Sequence, residues 1–147
     1  MTMTTAITSK ETQIRQLIAD QQRAICAKDV DQIMSRYANE MIVFDVKPPF
    51  QTKGKEAWRQ VWSECLPYFP DSFEMETRDL TITVNDNLAV AHWLFRFIGK
   101  EDHPAMQTWM RVTAVCQNNQ GNWQILHEHL SVPFEPETSQ AAFTLNP

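Results

Sequence analysis

The sequence predicts a single α+β domain in which helices lie on one face of a curved antiparallel sheet. Apolar residues recur at helical spacing in the N-terminal half of the chain and alternate with polar residues, as in strands, in the C-terminal half. The alternation slips by one residue near Arg78-Asp79, as it does at a β-bulge, and a bulge bends a sheet. Helices and strands that are segregated along a chain indicate an α+β fold with an antiparallel sheet.

Three helices are expected before the long strands. The first should run from about Ser9 to Ala27, because Thr8-Ser9-Lys10-Glu11 matches the capping-box pattern. A short second helix should follow a cap at Asp29, and a third should begin at Gly54 and stop at Pro67. Their apolar stripes are Ile14, Leu17, Ile18 and Ile25, then Val30, Ile33, Met34 and Tyr37, then Trp58, Val61, Trp62, Cys65 and Leu66.

One short strand and four long ones are expected. Turn residues at Asn85-Asp86-Asn87 and around Gly121 separate the long strands into hairpins. These elements predict one domain over residues 9–134 and a loose C-terminal tail over residues 135–147. The predicted strands are Met41 to Val46, a strand from Phe73 to about Val84, Leu88 to Ile98, Met106 to Gln117, and Trp123 to Val132.

Composition excludes several classes of function. The net charge of the 147-residue chain is -5 without a basic stripe, so we expect no nucleic-acid partner. No apolar run reaches the roughly 18 residues of a membrane span, and the polar start lacks a signal core, so we expect no membrane partner and a cytoplasmic location. Only three glycines occur, without a nucleotide-binding loop, and we expect no cofactor. The three cysteines are expected to be reduced core thiols.

Two stretches carry a family resemblance. The first combines Ala27-Lys28-Asp29-Val30-Asp31, the segment from Tyr37 to Asp45, and Gly54-Lys55-Glu56-Ala57-Trp58. The second combines Thr113-Ala114-Val115, a turn at Gly121 and the segment from Trp123 to Ser131. Over about Ser9 to Pro133 the chain resembles the NTF2-like superfamily, in particular SnoaL-like proteins and ketosteroid isomerases. The second stretch also looks like the calcium/calmodulin-dependent kinase association domain. The resemblance implies a cone-shaped fold, with three N-terminal helices packed on the concave face of the sheet and a ligand pocket at its mouth.

Asp45 is the main candidate for catalysis. By the resemblance it falls at the position of the isomerase general base, and a carboxylate in an apolar cup has a raised pKa and is a better base. The alternative is a strand-end Asp that binds nearby backbone N–H groups. Gln21 and Thr113 fall at the positions of the isomerase Tyr and protonated Asp, so classical steroid isomerase activity is not predicted. His92 is the predicted assistant of Asp45.

The same resemblance assigns one face of each long strand to the pocket. This assignment chooses one of two possible strand orientations, because a register shift of one residue moves every side chain to the other face. If Glu128 did not pair with Arg111, a free Arg96 or Arg111 would favour an anionic ligand. The predicted ligand-binding residues are Gln21, Trp58, Trp62, Leu94, Arg96, Trp109, Arg111, Thr113, Leu126 and Glu128.

The opposite face of the sheet predicts a homodimer. It is too apolar to be left in water, and we expect a second copy of the sheet to cover it. His127 and His129 are placed outside the pocket, where they either pack against the sheet or, with a third ligand, bind zinc; we predict no metal. The apolar face consists of Ala89, Ala91, Trp93, Phe95 and Phe97 on one strand and Met106, Met110, Val112 and Ala114 on the next.

Two classes of function follow from these features. The first is a cofactor-independent isomerase, cyclase or dehydratase that moves a proton on a small hydrophobic carbonyl compound through Asp45. The second is a binding or dimerisation module that holds a ligand without changing it. A fold alone does not decide between them.

Overall fold

The computed structural model describes residues 9–100 and 106–147. The predicted loop after Gly99 and Thr8 of the capping box therefore lie partly or wholly outside the described residues. The elements in chain order are α1 (Lys10–Cys26), α2 (Val30–Ser35), β1 (Tyr37–Phe44), β2 (Thr52–Lys53), α3 (Lys55–Cys65), a 3₁₀ turn (Leu66–Tyr68), β3 (Phe73–Asn85), β4 (Leu88–Gly99), β5 (Met110–Asn119), β6 (Asn122–Ser131), β7 (Phe134–Glu135) and β8 (Gln140–Ala141).

The helices begin where the sequence predicts. The hydroxyl oxygen of Ser9 accepts a hydrogen bond from the backbone N–H of Thr12, and the Asp29 carboxylate does the same for Gln32, each at 3.1 Å. Side-chain acceptors at these positions satisfy N–H groups that have no partner inside the helix. Gly54 precedes α3 with a φ of 90°, in the left-handed region that glycine tolerates.

The helical part differs from the prediction at Tyr37, which was predicted to end the second helix and begins β1 instead. The third helix ends at Cys65, before Pro67 as the sequence predicts, and a 3₁₀ turn that includes Pro67 follows it. Proline is compatible with the first positions of a helical turn because the N–H that it lacks has no partner there.

The main sheet has six strands in the order β2-β1-β6-β5-β4-β3. β1 pairs in parallel with β6, and every other neighbouring pair is antiparallel. The sheet is therefore mixed, and the prediction of an antiparallel sheet is wrong for this one pair. Ile42 of β1 lies opposite His127 of β6, and no local sequence signal marks a contact between segments so far apart in the chain.

Two irregularities interrupt the strand ladders. The register of β3 against β4 shifts between Arg78 and Thr81, and Asp79 between them has a φ of 60°. This confirms the phase slip that the sequence predicts. A second shift lies between β5 and β6, where Leu126 has no partner in the ladder. Bulges of this kind bend a strand and increase its twist, which fits the curvature of the sheet.

The face predicted to form a dimer is instead part of the core. Trp93 and Phe95 of β4 are at most 8% exposed and belong to the same buried cluster as Ile14 of α1 and Trp58 of α3. The expectation that a second copy must cover this face is wrong, because the helices of the chain itself cover it. The predicted orientation of β4 and β5 was inverted.

The C-terminal segment is not wholly irregular. β7 and β8 pair as a short antiparallel hairpin, and the guanidinium of Arg78 donates to the Pro147 carbonyl oxygen at 3.0 Å. None of the helices in the described parts of the chain has the length and apolar character that crossing a membrane requires.

Candidate functional site

A cavity of about 280 Å³ lies between the helices and the covered face of the sheet. Its walls are largely apolar, and the polar groups among them are few. Such a cavity is the usual location of a ligand site in a small domain. The lining residues are Ile18, Gln21, Gln22, Ile25, Tyr37, Asp45, Val46, Lys47, Trp58, Val61, Trp62, Cys65, Phe69, Met75, Trp93, Phe95, Phe97, Met110, Val112, Ala114, Cys116, Ile125, Glu128 and Leu130.

The structure brings five of the predicted site residues together on this wall: Gln21, Asp45, Trp58, Trp62 and Glu128. These residues come from α1, the end of β1, α3 and β6. The other predicted site residues do not line the cavity, and their predicted placement is wrong. They are His92, Leu94, Arg96, Trp109, Arg111, Thr113 and Leu126.

Strand register explains the misplaced residues. Side chains directly opposite one another in adjacent strands share a face. Glu128 of β6 lies opposite Ala114 of β5, and Ala114 lies opposite Ala91 of β4. Because Glu128 faces the cavity, the residues that alternate with Ala91 and Ala114, including His92 and Thr113, face away from it. The unpaired Leu126 lets Ile125 and Glu128 reach the same face although they are three residues apart.

The arginines have partners outside the cavity. The Arg96 Nε donates to Glu76 Oε1 at 2.7 Å, and its guanidinium lies 4.9 Å from the centre of the Trp109 ring. The Arg111 Nε donates to the Ser131 hydroxyl oxygen at 3.0 Å. The predicted Glu128–Arg111 pair is therefore wrong, and so is the argument that these arginines would bind an anionic ligand in the pocket.

Glu128 is a buried acid whose partner is a phenol. Its side chain accepts a hydrogen bond from the Tyr37 hydroxyl, and both residues are at least nine-tenths buried. Burial raises the pKa of Glu128 to about 7, the Tyr37 hydrogen bond lowers it, and the negative charge of Asp45 raises it. Burial and the neighbouring Glu128 raise the pKa of Tyr37 well above its ordinary value, so its hydroxyl stays protonated.

Asp45 lies on the cavity wall with one backbone partner. Its Oδ1 accepts from the Val46 N–H at 2.7 Å, while burial raises its pKa and the Val46 bond and Lys47 lower it. The charge of Asp45 raises the pKa of Glu128, the group with the larger shift, so the two carboxyl groups interact. The cavity thus contains two carboxyl groups that titrate at different pH.

Several buried polar atoms on the wall lack a hydrogen-bond partner among the described residues. They are both amide atoms of Gln21 and the indole nitrogens of Trp58, Trp62 and Trp93. The Gln21 amide and the Trp58 N–H are near enough to the Tyr37 oxygen to lower its pKa, but neither makes a hydrogen bond of normal geometry with it. Buried unpaired polar groups are uncommon and each one calls for an explanation.

The histidine pair of β6 packs outside the cavity. His127 Nδ1 is 2.7 Å from the Ile42 carbonyl oxygen, and the rings of His127 and His129 both contact the Phe44 ring edge to face. Over residues 9–100 and 106–147, no group of three or more His, Cys, Asp or Glu side chains is arranged to hold a metal ion.

Sequence reasoning missed two important residues of the wall, Tyr37 and Trp93. Tyr37 fits the apolar stripe of the second helix, and nothing nearby indicates that its hydroxyl meets a residue 91 positions later. Trp93 carried a usable signal: of the two faces of β4, its face is the more apolar, which favours the side under the helices.

Comparison with known proteins agrees with this architecture. A model of the SnoaL-like domain matches residues 14–135. The chain belongs to the SnoaL-like family. An NTF2-like protein of unknown function from Pseudomonas putida is 36% identical, with 95% of this chain and 98% of that chain covered and a TM-score of 0.87.

More distant solved structures share the fold of this SnoaL-like domain. A candidate scytalone dehydratase from Novosphingobium aromaticivorans is 15% identical, with 88% of this chain and 87% of that chain covered and a TM-score of 0.71. A candidate ketosteroid isomerase from Parabacteroides distasonis is 19% identical, with coverages of 82% and 86% and a TM-score of 0.65. No curated protein matches the chain.

Proposed function

We propose that this SnoaL-like domain binds a small hydrophobic carbonyl compound in its cavity and moves a proton on it. The observation that carries the proposal is the pair of carboxyl groups, Asp45 and Glu128, on one apolar wall. Their pKa values are both raised but to different extents, Glu128 to about 7. Two carboxyl groups held at different protonation states can divide the roles of base and acid.

The roles follow from the order of ionisation. Asp45, as carboxylate, takes a proton from the carbon next to the carbonyl, and the released electron pair forms the C=C bond of an enol. The carbonyl oxygen receives its proton from Glu128 or through the Tyr37 hydroxyl. Return of the Asp45 proton to the same or another carbon, and of the enol proton to Glu128, restores both groups. This cycle needs no cofactor.

Solvent deuterium exchange tests the proposal. A panel of small cyclic ketones with 1-tetralone as its first member is incubated with the protein in deuterated buffer, and exchange beside the carbonyl is followed by mass spectrometry. Asp45→Asn should slow the exchange at least about a hundredfold, since a positioned general base typically contributes that much. Asp71→Asn, which changes an exposed aspartate outside the cavity, is the matched control. The proposal is contradicted if no ketone of the panel exchanges deuterium, or if Asp45→Asn leaves the exchange rate unchanged.

The second candidate function is ligand binding without chemistry. It is favoured by the 2.7 Å bond from the Val46 N–H to Asp45, because a carboxylate with a backbone partner also serves as a strand-end bond. Saturable binding of a ketone without exchange would support this function over the first.

Assembly and location stay predictions. For a homodimer we propose the outer face of the sheet, where Leu88 and Val90 are 50% and 39% exposed. Native mass spectrometry would show twice the chain mass, and a monomer would contradict this. The cysteines Cys26, Cys65 and Cys116 are free thiols, which supports a reducing compartment such as the cytoplasm.

A further inference from the structure

The buried side-chain nitrogen and oxygen atoms that lack a hydrogen-bond partner among the described residues all belong to residues that line the cavity. Gln21 and Trp58 are 6% and 4% exposed, and Trp93 is 8% exposed, so water at the surface does not satisfy them. Four of the five atoms are nitrogens that donate, namely three indole N–H groups and the amide of Gln21. An unmade hydrogen bond at a buried group is costly, so a donor set of this kind favours a ligand that carries acceptors.

Another tryptophan shows that the chain does pair its indoles elsewhere. The Trp123 Nε1 donates to Gln13 Oε1 at 2.8 Å, and Trp123 does not line the cavity. The unpaired indoles thus coincide with the cavity, which points to a ligand contact there.

The charges on the wall restrict the ligand further. Lys47 is the one cationic side chain among the described lining residues, and it is exposed at the surface. Asp45 and Glu128 contribute only negative charge, which disfavours an anion inside the cavity. The volume of about 280 Å³ lies near the lower end of the roughly 300–1,000 Å³ of ligand pockets, which suits a molecule of one or two rings.

We propose that the cavity selects a neutral one- or two-ring ketone with a second acceptor oxygen. One oxygen binds beside Tyr37, where Gln21 and Trp58 present their N–H groups, and the other binds the indole N–H of Trp62 or Trp93. The proposal rests on the proposed function for the ketone and extends it to the charge and the acceptor number of the ligand. It makes Gln21, Trp62 and Trp93 specificity-determining residues.

A matched set of two-ring probes tests this selection by calorimetry. Tetralin has no acceptor, 1-tetralone has one and chroman-4-one has two, while 1-naphthoate and protonated 1-aminotetralin supply the two charges. Affinity should rise about threefold to tenfold with each acceptor and be weakest for the naphthoate. Trp93→Phe, Trp62→Phe and Gln21→Leu should lower the affinity for chroman-4-one. For Trp62→Phe or Trp93→Phe the affinity should fall by the same factor of about three to ten. Tetralin binding should hardly change, and Trp123→Phe is the control for loss of an indole outside the cavity.

Each other result overturns the proposal. Equal affinity for tetralin and chroman-4-one on the unmodified protein would mean that the unpaired atoms do not recognise acceptors, whatever the variants do. Tighter binding of a charged probe would assign a different class of ligand, and binding of none of the probes would exclude this class. The proposed function fails separately: chroman-4-one that binds as expected but exchanges no deuterium would sustain the selection and reject the proton transfer.

Discussion

At the scale of single residues, the state of Glu128 decides what the cavity can do. Its hydrogen-bond partner is a phenol rather than a cation, so burial and the negative charge of Asp45 raise its pKa without an opposing ion pair. The sequence identifies Glu128 as a pocket residue, but not its partner, because Tyr37 is distant in the chain and fits a helical pattern. The sequence therefore predicted the position of the acid, but it did not predict the surroundings that set its pKa.

Stability should fall as pH rises through the range in which Glu128 ionises. Below about pH 4.5 the group is protonated in both the folded and the unfolded chain; between 4.5 and about 7 only the folded chain keeps the proton. Because the native state binds more protons over this range, the free energy of unfolding falls by about 3 kcal/mol as pH rises through it. Above this range it stays at the lower value. Urea unfolding between pH 5 and 8 should show a flatter profile for Glu128→Gln than for the unmodified protein. Identical slopes would contradict the buried acid, and Glu137→Gln, at an exposed site, is the control.

Removal of the phenol should expose the dependence of Glu128 on its partner. Tyr37→Phe deletes the hydroxyl that donates to the buried carboxyl group, which leaves an unpaired charge above neutral pH. We expect a loss of about 1–3 kcal/mol in the free energy of unfolding at pH 8 and a smaller loss at pH 5. The pKa of Glu128, followed by carbon NMR of its carboxyl group, should rise, because the hydrogen bond lowers it. A pKa that stays unchanged would mean that the phenol does not hold the carboxylate.

At the scale of elements, alternation along a strand predicts which residues share a face but not which face is inside. The bulge in β3 was predictable because the apolar residues Met75 and Ile82 are an odd number of positions apart, so a regular strand would place them on opposite faces. In the structure Asp79, whose backbone is left-handed, lies between them. The facing of β4 and β5 was inverted, because it was derived from the resemblance rather than from the greater apolarity of the Trp93 face. The irregularity at Leu126 gave no signal, since it depends on pairing with β5.

The bulge makes a specific prediction about Asp79. Its φ of 60° suits glycine and strains a β-branched residue. Asp79→Val should lower the free energy of unfolding by about 1–2 kcal/mol, whereas Asp79→Gly should be close to neutral. Chemical denaturation measures both, and Thr83→Val, at a regular exposed position of β3, should not destabilise the protein. Equal effects of the Asp79→Val and Asp79→Gly substitutions would argue against the left-handed conformation.

At the scale of the whole molecule, the helices and the sheet form two layers with the cavity between them. The order of elements and the resemblance predicted this arrangement, and the buried cluster that joins the helices to the sheet agrees with it. The volume of the cavity and its unpaired indoles were not predictable, because they depend on how Trp58 and Trp62 pack against the sheet, with their rings edge to face at 5.8 Å. The inverted faces have a consequence at this scale: the cavity lies under the helices, and part of its wall consists of residues that had been assigned to a dimer.

The most direct test of the account is methyl NMR of the protein titrated with chroman-4-one. Chemical shifts should change at Met110, Val112 and Ile125, whose side chains line the cavity, and should stay unchanged at Leu88 and Val90 on the outer face. Shifts confined to Leu88 and Val90 would place the ligand on the opposite side of the sheet and contradict the assignment of the site.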